Sequence, residues 1–207
     1  MTDKKTGIVM ATMLEASPFI KGLALEKTVE KPFPVFSSDS FELIISGIGK
    51  VYAALAASIL IREYGLLRLI NTGAAGGLRT GFNTGDILHI TQVVDFDRPK
   101  LINKKIRLMK PDILPGYKNA TLATLDRPVI TPEDREAVGQ YADIIDMEGA
   151  GFLQSCRTFG AEAYIWKMIT DTAEHDKDAD IIANIKLLID DLFNYIMDNV
   201  FPDIFKI

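Results

Sequence analysis

Short apolar runs that end in polar residues alternate along this chain with longer stretches of helical period. The first run, Gly7-Ile-Val-Met-Ala-Thr12, has no two-residue alternation and so suits a strand buried on both faces. Ser17-Pro18 then offers an N-cap and a first-turn proline, which predicts a helix to about Lys27. Residues 33–46, with Ser37-Ser-Asp-Ser40 in their middle, read as two strands joined by a turn. The alanine-rich stretch 50–64 predicts a helix with small residues on a packing face, ended by Gly65.

Residues 66–71 predict another buried strand, with a glycine turn over 72–77, and 86–94 a long strand entered from Gly85. Residues 95–118, rich in Pro, Lys and Asp, have weak periodicity and predict no element. A strand is expected over 119–125, and Thr131-Pro-Glu-Asp-Arg-Glu136 carries the N-cap, proline and acidic first turn of a short helix. A strand over 143–146, a helix over 148–159, a strand over 162–170 and a terminal helix over about 179–199 complete the pattern. Alternating strands and helices with several buried runs predict an α/β fold, a twisted mixed central sheet flanked by helices in three layers. The 207 residues suit one domain, residues 1–207.

Composition narrows the function classes. A formal net charge of −5 argues against a nucleic-acid partner, because phosphate backbones are bound by clustered Lys and Arg. The one basic cluster, Lys100, Lys104, Lys105, Arg107 and Lys110, reads as a solvated loop or hairpin face. No apolar run is long enough to span a bilayer, the polar N-terminus lacks a signal-peptide pattern, and a single cysteine excludes an intramolecular disulfide framework. Together these predict a cytoplasmic protein.

Three segments place a carboxylate just past an apolar run: Met13-Leu-Glu15, Ile145-Asp-Met-Glu148 and Ile169-Thr-Asp171. If these runs are parallel strands, their carboxyl ends would gather Glu15, Glu148 and Asp171 around one crevice. Between them lie Ser46-Gly-Ile-Gly-Lys50 and Asn71-Thr-Gly-Ala-Ala-Gly-Gly-Leu78, read as two glycine turns that let backbone approach a ligand closely.

In this order the five segments resemble the nucleosidase and nucleoside phosphorylase superfamily, and most of all the methylthioadenosine/S-adenosylhomocysteine nucleosidases. The resemblance covers roughly 7–94 and 119–172 and implies a nucleoside phosphorylase-like fold. It implies a metal-independent, cofactor-free N-ribosyl hydrolase acting on a purine nucleoside or a 5'-modified adenosine, with subunits paired as a homodimer. By the same resemblance Asp171 is the acid that protonates the leaving purine, Glu15 the base that activates water, and Glu148 the acceptor for the ribose hydroxyls above an apolar Met147. Cleavage builds cationic charge on the ribose and negative charge on the base, which is why two carboxylates can divide acid and base between them.

The departures matter as much. Ala74 stands after Gly73 where the family usually has a serine, and Asn71 where phosphorylases generally place an arginine. Both usual anion ligands are therefore missing, which makes phosphate a poor co-substrate and a phosphorylase the runner-up. In Thr124-Leu-Asp-Arg-Pro128-Val129-Ile the family's purine-stacking phenylalanine is absent, leaving Val129 as the substrate-binding residue of that loop and Phe96 or Phe152 as replacements for stacking. Lys167 replaces a common arginine and could balance the carboxylates, since it shares a strand face with Asp171. A non-catalytic nucleoside-binding protein is the alternative outside enzymes.

Other residues read more plainly. Glu174-His-Asp-Lys-Asp-Ala-Asp180 lacks the glycine and the final glutamate of a calcium loop and reads as a solvated loop and helix start. His89 is expected to be a strand residue with an ordinary partner, and Cys156 a core residue.

Overall fold

The computed structural model describes residues 5–98, 106–172 and 178–206. Strands β1 (Thr6–Met10), β2 (Glu26–Val29), β3 (Val35–Ser37), β4 (Phe41–Ile45), β5 (Arg68–Gly77), β6 (Ile87–Asp95), β7 (Arg107–Met109), β8 (Asn119–Thr124), β9 (Ile144–Asp146) and β10 (Glu162–Asp171) join in one mixed sheet. The helices are α1 (Met13–Gly22), α2 (Lys50–Arg62), α3 (Pro132–Gly139), α4 (Gly149–Phe159), α5 (Asp178–Tyr195) and α6 (Phe201–Phe205).

Strand order is β10-β6-β8-β9-β5-β1-β4-β3-β2, and β10 also pairs with β5. Strands β10, β6, β8, β9 and β5 therefore close into a ring, from which β1, β4, β3 and β2 extend as an open wing. Closure removes the exposed edge that an open sheet would leave at β10. Helices cover both faces, as the three-layer expectation requires. On β10 the side chains alternate between two cores: Ala163, Ile165 and Ile169 pack with α2 and α4, while Tyr164, Trp166 and Met168 pack with α1, α5 and α6. Helices α2 and α4 touch so closely that a Cβ at Gly151 would lie 2.0 Å from the carbonyl oxygen of Lys50.

Four expectations need correction. Residues 72–77 are not a turn, because β5 continues through them to Gly77, paired in parallel with β10 as far as Gly76. Glycines have weak strand propensity, and pairing with β10, joined by β9 at Gly76 and Gly77, holds the segment extended. Helix α1 begins at Met13 and ends at Gly22, not from Ser17 to Lys27: Thr12 and Glu15 form a reciprocal capping box that starts it a turn earlier, with Pro18 inside. The gathering of carboxylates at the ends of parallel strands is only partly right, since β9 runs antiparallel to β5. Last, β7 was not expected; it pairs antiparallel with β6.

The terminal helix also differs from a simple α-helix. After Tyr195 it widens into a π-helical turn, Ile196–Val200, before α6. Pro202 follows, which lacks an N–H and whose ring would meet the carbonyl four residues earlier, and a widened turn accommodates it.

Candidate active site

Glu15 is the third residue of α1, just past the end of β1, and it is buried. One carboxylate oxygen, Oε2, accepts from the Thr12 backbone N–H at 3.0 Å and from its hydroxyl at 2.7 Å. The other, Oε1, accepts from the Ala74 N–H at 2.9 Å. A carboxylate offers about four lone-pair sites, so one remains open, on Oε1. Gly73 makes this approach feasible: a Cβ there would lie 2.6 Å from Oε1, and its φ of +152° is one that other residues rarely adopt. One side chain thus closes the capping box of α1 and reaches across to β5.

Glu148 follows β9 and precedes α4, and its Oε1 accepts from the Gly49 N–H at 3.0 Å, in the turn before α2. Burial, and then the Asp146 carboxylate, push its pKa up to about 7, against the pull of Lys167 and the Gly49 N–H. Asp146 itself is a hub. Its Oδ2 accepts from Lys167 Nζ at 2.8 Å and from the Gly149 N–H at 2.8 Å, and its Oδ1 accepts from the Thr124 hydroxyl at 2.7 Å. Lys167 is almost fully buried; desolvation works against its charge, but Asp146 and Glu148 outweigh that and raise its pKa. Sequence reading assigned Met147 and Glu148 and passed over Asp146 between the same strand and helix.

Asp171 ends β10. Its Oδ2 pairs with Arg135 Nη2 at 2.5 Å, and its Oδ1 lies 3.3 Å from the Thr170 hydroxyl. Gly76 lies beneath: a Cβ there would stand 3.1 Å and 3.2 Å from the two carboxylate oxygens. Arg135 went unnoticed in the sequence because its partner lies on a distant strand.

These groups surround one cavity of about 430 Å³. Glu15, Asp146, Glu148 and Asp171 all line it, together with Ala74, Met147 and Val129. Gly73 and Lys167 stand behind the wall, the first under Glu15 and the second under Asp146. The rest of the lining is largely aliphatic: Leu14, Ile48, Ile130, Ile145 and three isoleucines of α5, Ile181, Ile182 and Ile185. Neither aromatic residue expected to replace the missing stacking platform reaches it. Phe152 is fully buried in the core under α4, and Phe96 packs edge-on against Tyr141. Among the described residues, Arg127 is the cation lining the cavity, and it is held in a bidentate pair by Asp134 at 2.7 Å and 2.8 Å.

Asn71 is buried and donates to the Val9 carbonyl at 3.0 Å. His89 is buried too, accepting from the Leu114 N–H at Nε2 and facing the Ile165 carbonyl with Nδ1, while its ring stacks on Trp166. Cys156 is a core residue of α4. Of the basic cluster, Arg107 lies on β7 and donates to Gln154, while Lys100, Lys104 and Lys105 lie outside the described residues. Residues 174–177 of the acidic segment also lie outside them. Among the described residues no helix is long and apolar enough to cross a membrane.

The family model described as the phosphorylase superfamily matches residues 40–120. A 5'-methylthioadenosine/S-adenosylhomocysteine nucleosidase of Hydrogenovibrio crunogenus is 32% identical over 156 residues, covering 63% of this chain and 67% of the relative. The nucleosidase of the same name from Bacillus cytotoxicus is 28% identical over 156 residues, covering 63% and 68%. Among solved structures, a Helicobacter pylori nucleosidase mutant with 5'-methylthioadenosine in its active site superimposes with a TM-score of 0.84 at 19% identity, over 95% of this chain and 99% of that one. Futalosine hydrolase of Helicobacter pylori gives 0.82 at 21% identity, over 96% and 99%. These two structures carry the likeness of fold.

Proposed function

The chain belongs to the phosphorylase superfamily, and from that premise we propose that it is an N-ribosyl hydrolase that cleaves the glycosidic bond of a purine nucleoside or a 5'-modified adenosine. The observation that carries hydrolysis, as against phosphorolysis, is the charge of the cavity. Four carboxylates line it, and its one lining cation among the described residues is already paired with Asp134. The Ala74 N–H, a backbone donor that could meet an anion, is donated to Glu15. A phosphate dianion entering such a site would lose its hydration and find no free positive partner.

In this reading Asp171 gives a proton to the imidazole ring of the purine as the bond from C1' to N9 breaks and its electron pair stays on the base. Water held at the open lone pair of Glu15 Oε1 adds to C1' and gives its proton to Glu15. The products are a free base and ribose or its 5'-modified form, and solvent returns the proton from Glu15 to Asp171. Glu148 accepts from the ribose hydroxyls, and its negative charge strengthens that grip as the sugar becomes cationic. Aliphatic walls, Val129 and Ile130 among them, take the place of an aromatic platform beside the base.

We also read the protein as a cytoplasmic homodimer. Val51, Tyr52 and Leu55 leave an exposed apolar stripe on α2, continued by Ile48, which itself lines the cavity. A second copy on that stripe would stand at the cavity mouth. A buried thiol as the only cysteine fits a reducing compartment.

Incubation with a panel of purine nucleosides, with and without phosphate, tests the reading by product mass. Free ribose or its 5'-modified form at a rate indifferent to phosphate is expected. Ribose 1-phosphate would replace hydrolysis by phosphorolysis, and tight binding without cleavage would make the protein a nucleoside-binding module.

A further inference from the structure

Helix α3 is short and mostly exposed, and it buries two side chains, Arg135 and Val138. Arg135 is only 3% exposed, a costly position for a cation unless every donor finds an acceptor. Its guanidinium meets three separate segments: Asp171 Oδ2 at 2.5 Å, the Gly77 carbonyl at the end of β5 at 2.8 Å, and the Ile130 carbonyl at 3.4 Å. Ile130 belongs to the loop that walls the cavity beside Val129. Thr131 and Pro132 fix the first turn of α3 and so fix where this fork points.

We propose that Arg135 is the positioning residue for Asp171, clamping Oδ2 so that Oδ1 is the oxygen that carries the proton to the leaving base; this rests on the nucleosidase reading above. Gly76 lets the carboxyl lie close over β5, and Arg135 holds it from the side, so the carboxyl plane has one orientation. The planar fork suits the task because its rigid donors reach acceptors on three segments at once, which a lysine point charge cannot do. The hydrogen bond to Ile130 ties the base-facing wall to the same clamp. Arg135 does not line the cavity, and it acts through Asp171.

The test separates aiming of an acid from general support of the fold. Arg135→Gln and Arg135→Lys are assayed on a purine nucleoside, which needs protonation of its leaving group, and on p-nitrophenyl β-D-riboside, whose leaving group departs without it. Arg135→Gln is expected to lower kcat on the purine substrate by about 10²-fold, the scale of an ångström-level misplacement, with KM changed little. The nitrophenyl substrate should lose only a few-fold, and Arg135→Lys should recover part of the purine activity. The ratio of the two activities in one preparation does not depend on how much of it is folded. Equal losses on both substrates, or unimpaired purine turnover, would overturn the proposal. Asp171→Asn is the reference: if it shows the leaving-group contrast and Arg135→Gln does not, the clamp alone is wrong. If Asp171→Asn shows no contrast, the acid assignment fails and takes the clamp with it.

Discussion

Glutamine at position 148 would keep the shape of the side chain and its acceptance from the Gly49 N–H, and would remove only its titration. In the folded protein, burial and the neighbouring Asp146 raise the Glu148 pKa from an ordinary 4.5 to about 7. The folded state therefore holds a proton that the unfolded chain has released across that window. Stability from this group is complete below pH 4.5 and is lost as pH rises through 7. At about 1.4 kcal/mol per pH unit, the whole effect is on the order of 3 kcal/mol, and roughly 2.5 kcal/mol of it falls between pH 5 and pH 8. Urea denaturation of the native protein and of Glu148→Gln at both pH values measures it. The variant should gain on the native protein by about 2–3 kcal/mol from pH 5 to pH 8. His89 contributes with the opposite sign: burial lowers its pKa, so its contribution is present above 6.5 and lost as pH falls. Comparing two proteins that both contain His89 cancels that contribution. A stability difference that does not change with pH would refute the reasoning, because Glu148 would then titrate alike in the folded and unfolded chain. The native kcat/KM should also rise through pH 7 as Glu148 ionises and can grip the ribose.

Gly73→Ala would set a Cβ 2.6 Å from Glu15 Oε1 and push the carboxylate off the Ala74 N–H. Loss of that charged hydrogen bond should cost about 1.5–3 kcal/mol in a thermal or urea melt. Turnover should fall by about 10²-fold, and near-native turnover would mean that water is not activated there. Lys167→Met would leave Asp146 buried without its cation, for a loss of about 3–5 kcal/mol in urea denaturation. Adding Asp146→Asn to that variant should restore most of the stability, and an additive loss would show that the pair is not coupled.

The apolar runs and their bounding polar residues were enough to place β1, β4, β6, β8, β10 and the helices α2, α3 and α4, because burial on both faces of a sheet leaves a local trace in the sequence. Thr12-Met-Leu-Glu15 carried a legible capping box as well, although the competing Ser17-Pro18 signal drew the predicted start of α1 past it. Glu15, Glu148 and Asp171, which line one cavity, each close a segment recognisable in the sequence, and the residues around them supplied the family resemblance. What holds those carboxylates was not legible. Glu15 meets the Ala74 N–H across 59 residues, Asp171 meets Arg135 across 36, and Glu148 meets Gly49 across 99. Whether 72–77 is a turn or a strand was likewise undecided by glycines, which accept either backbone until β10 pairs along β5 and β9 joins at Gly76 and Gly77. Propensity and period act over a few residues, whereas a buried charge is settled by whichever donors the closed sheet brings within about 3 Å.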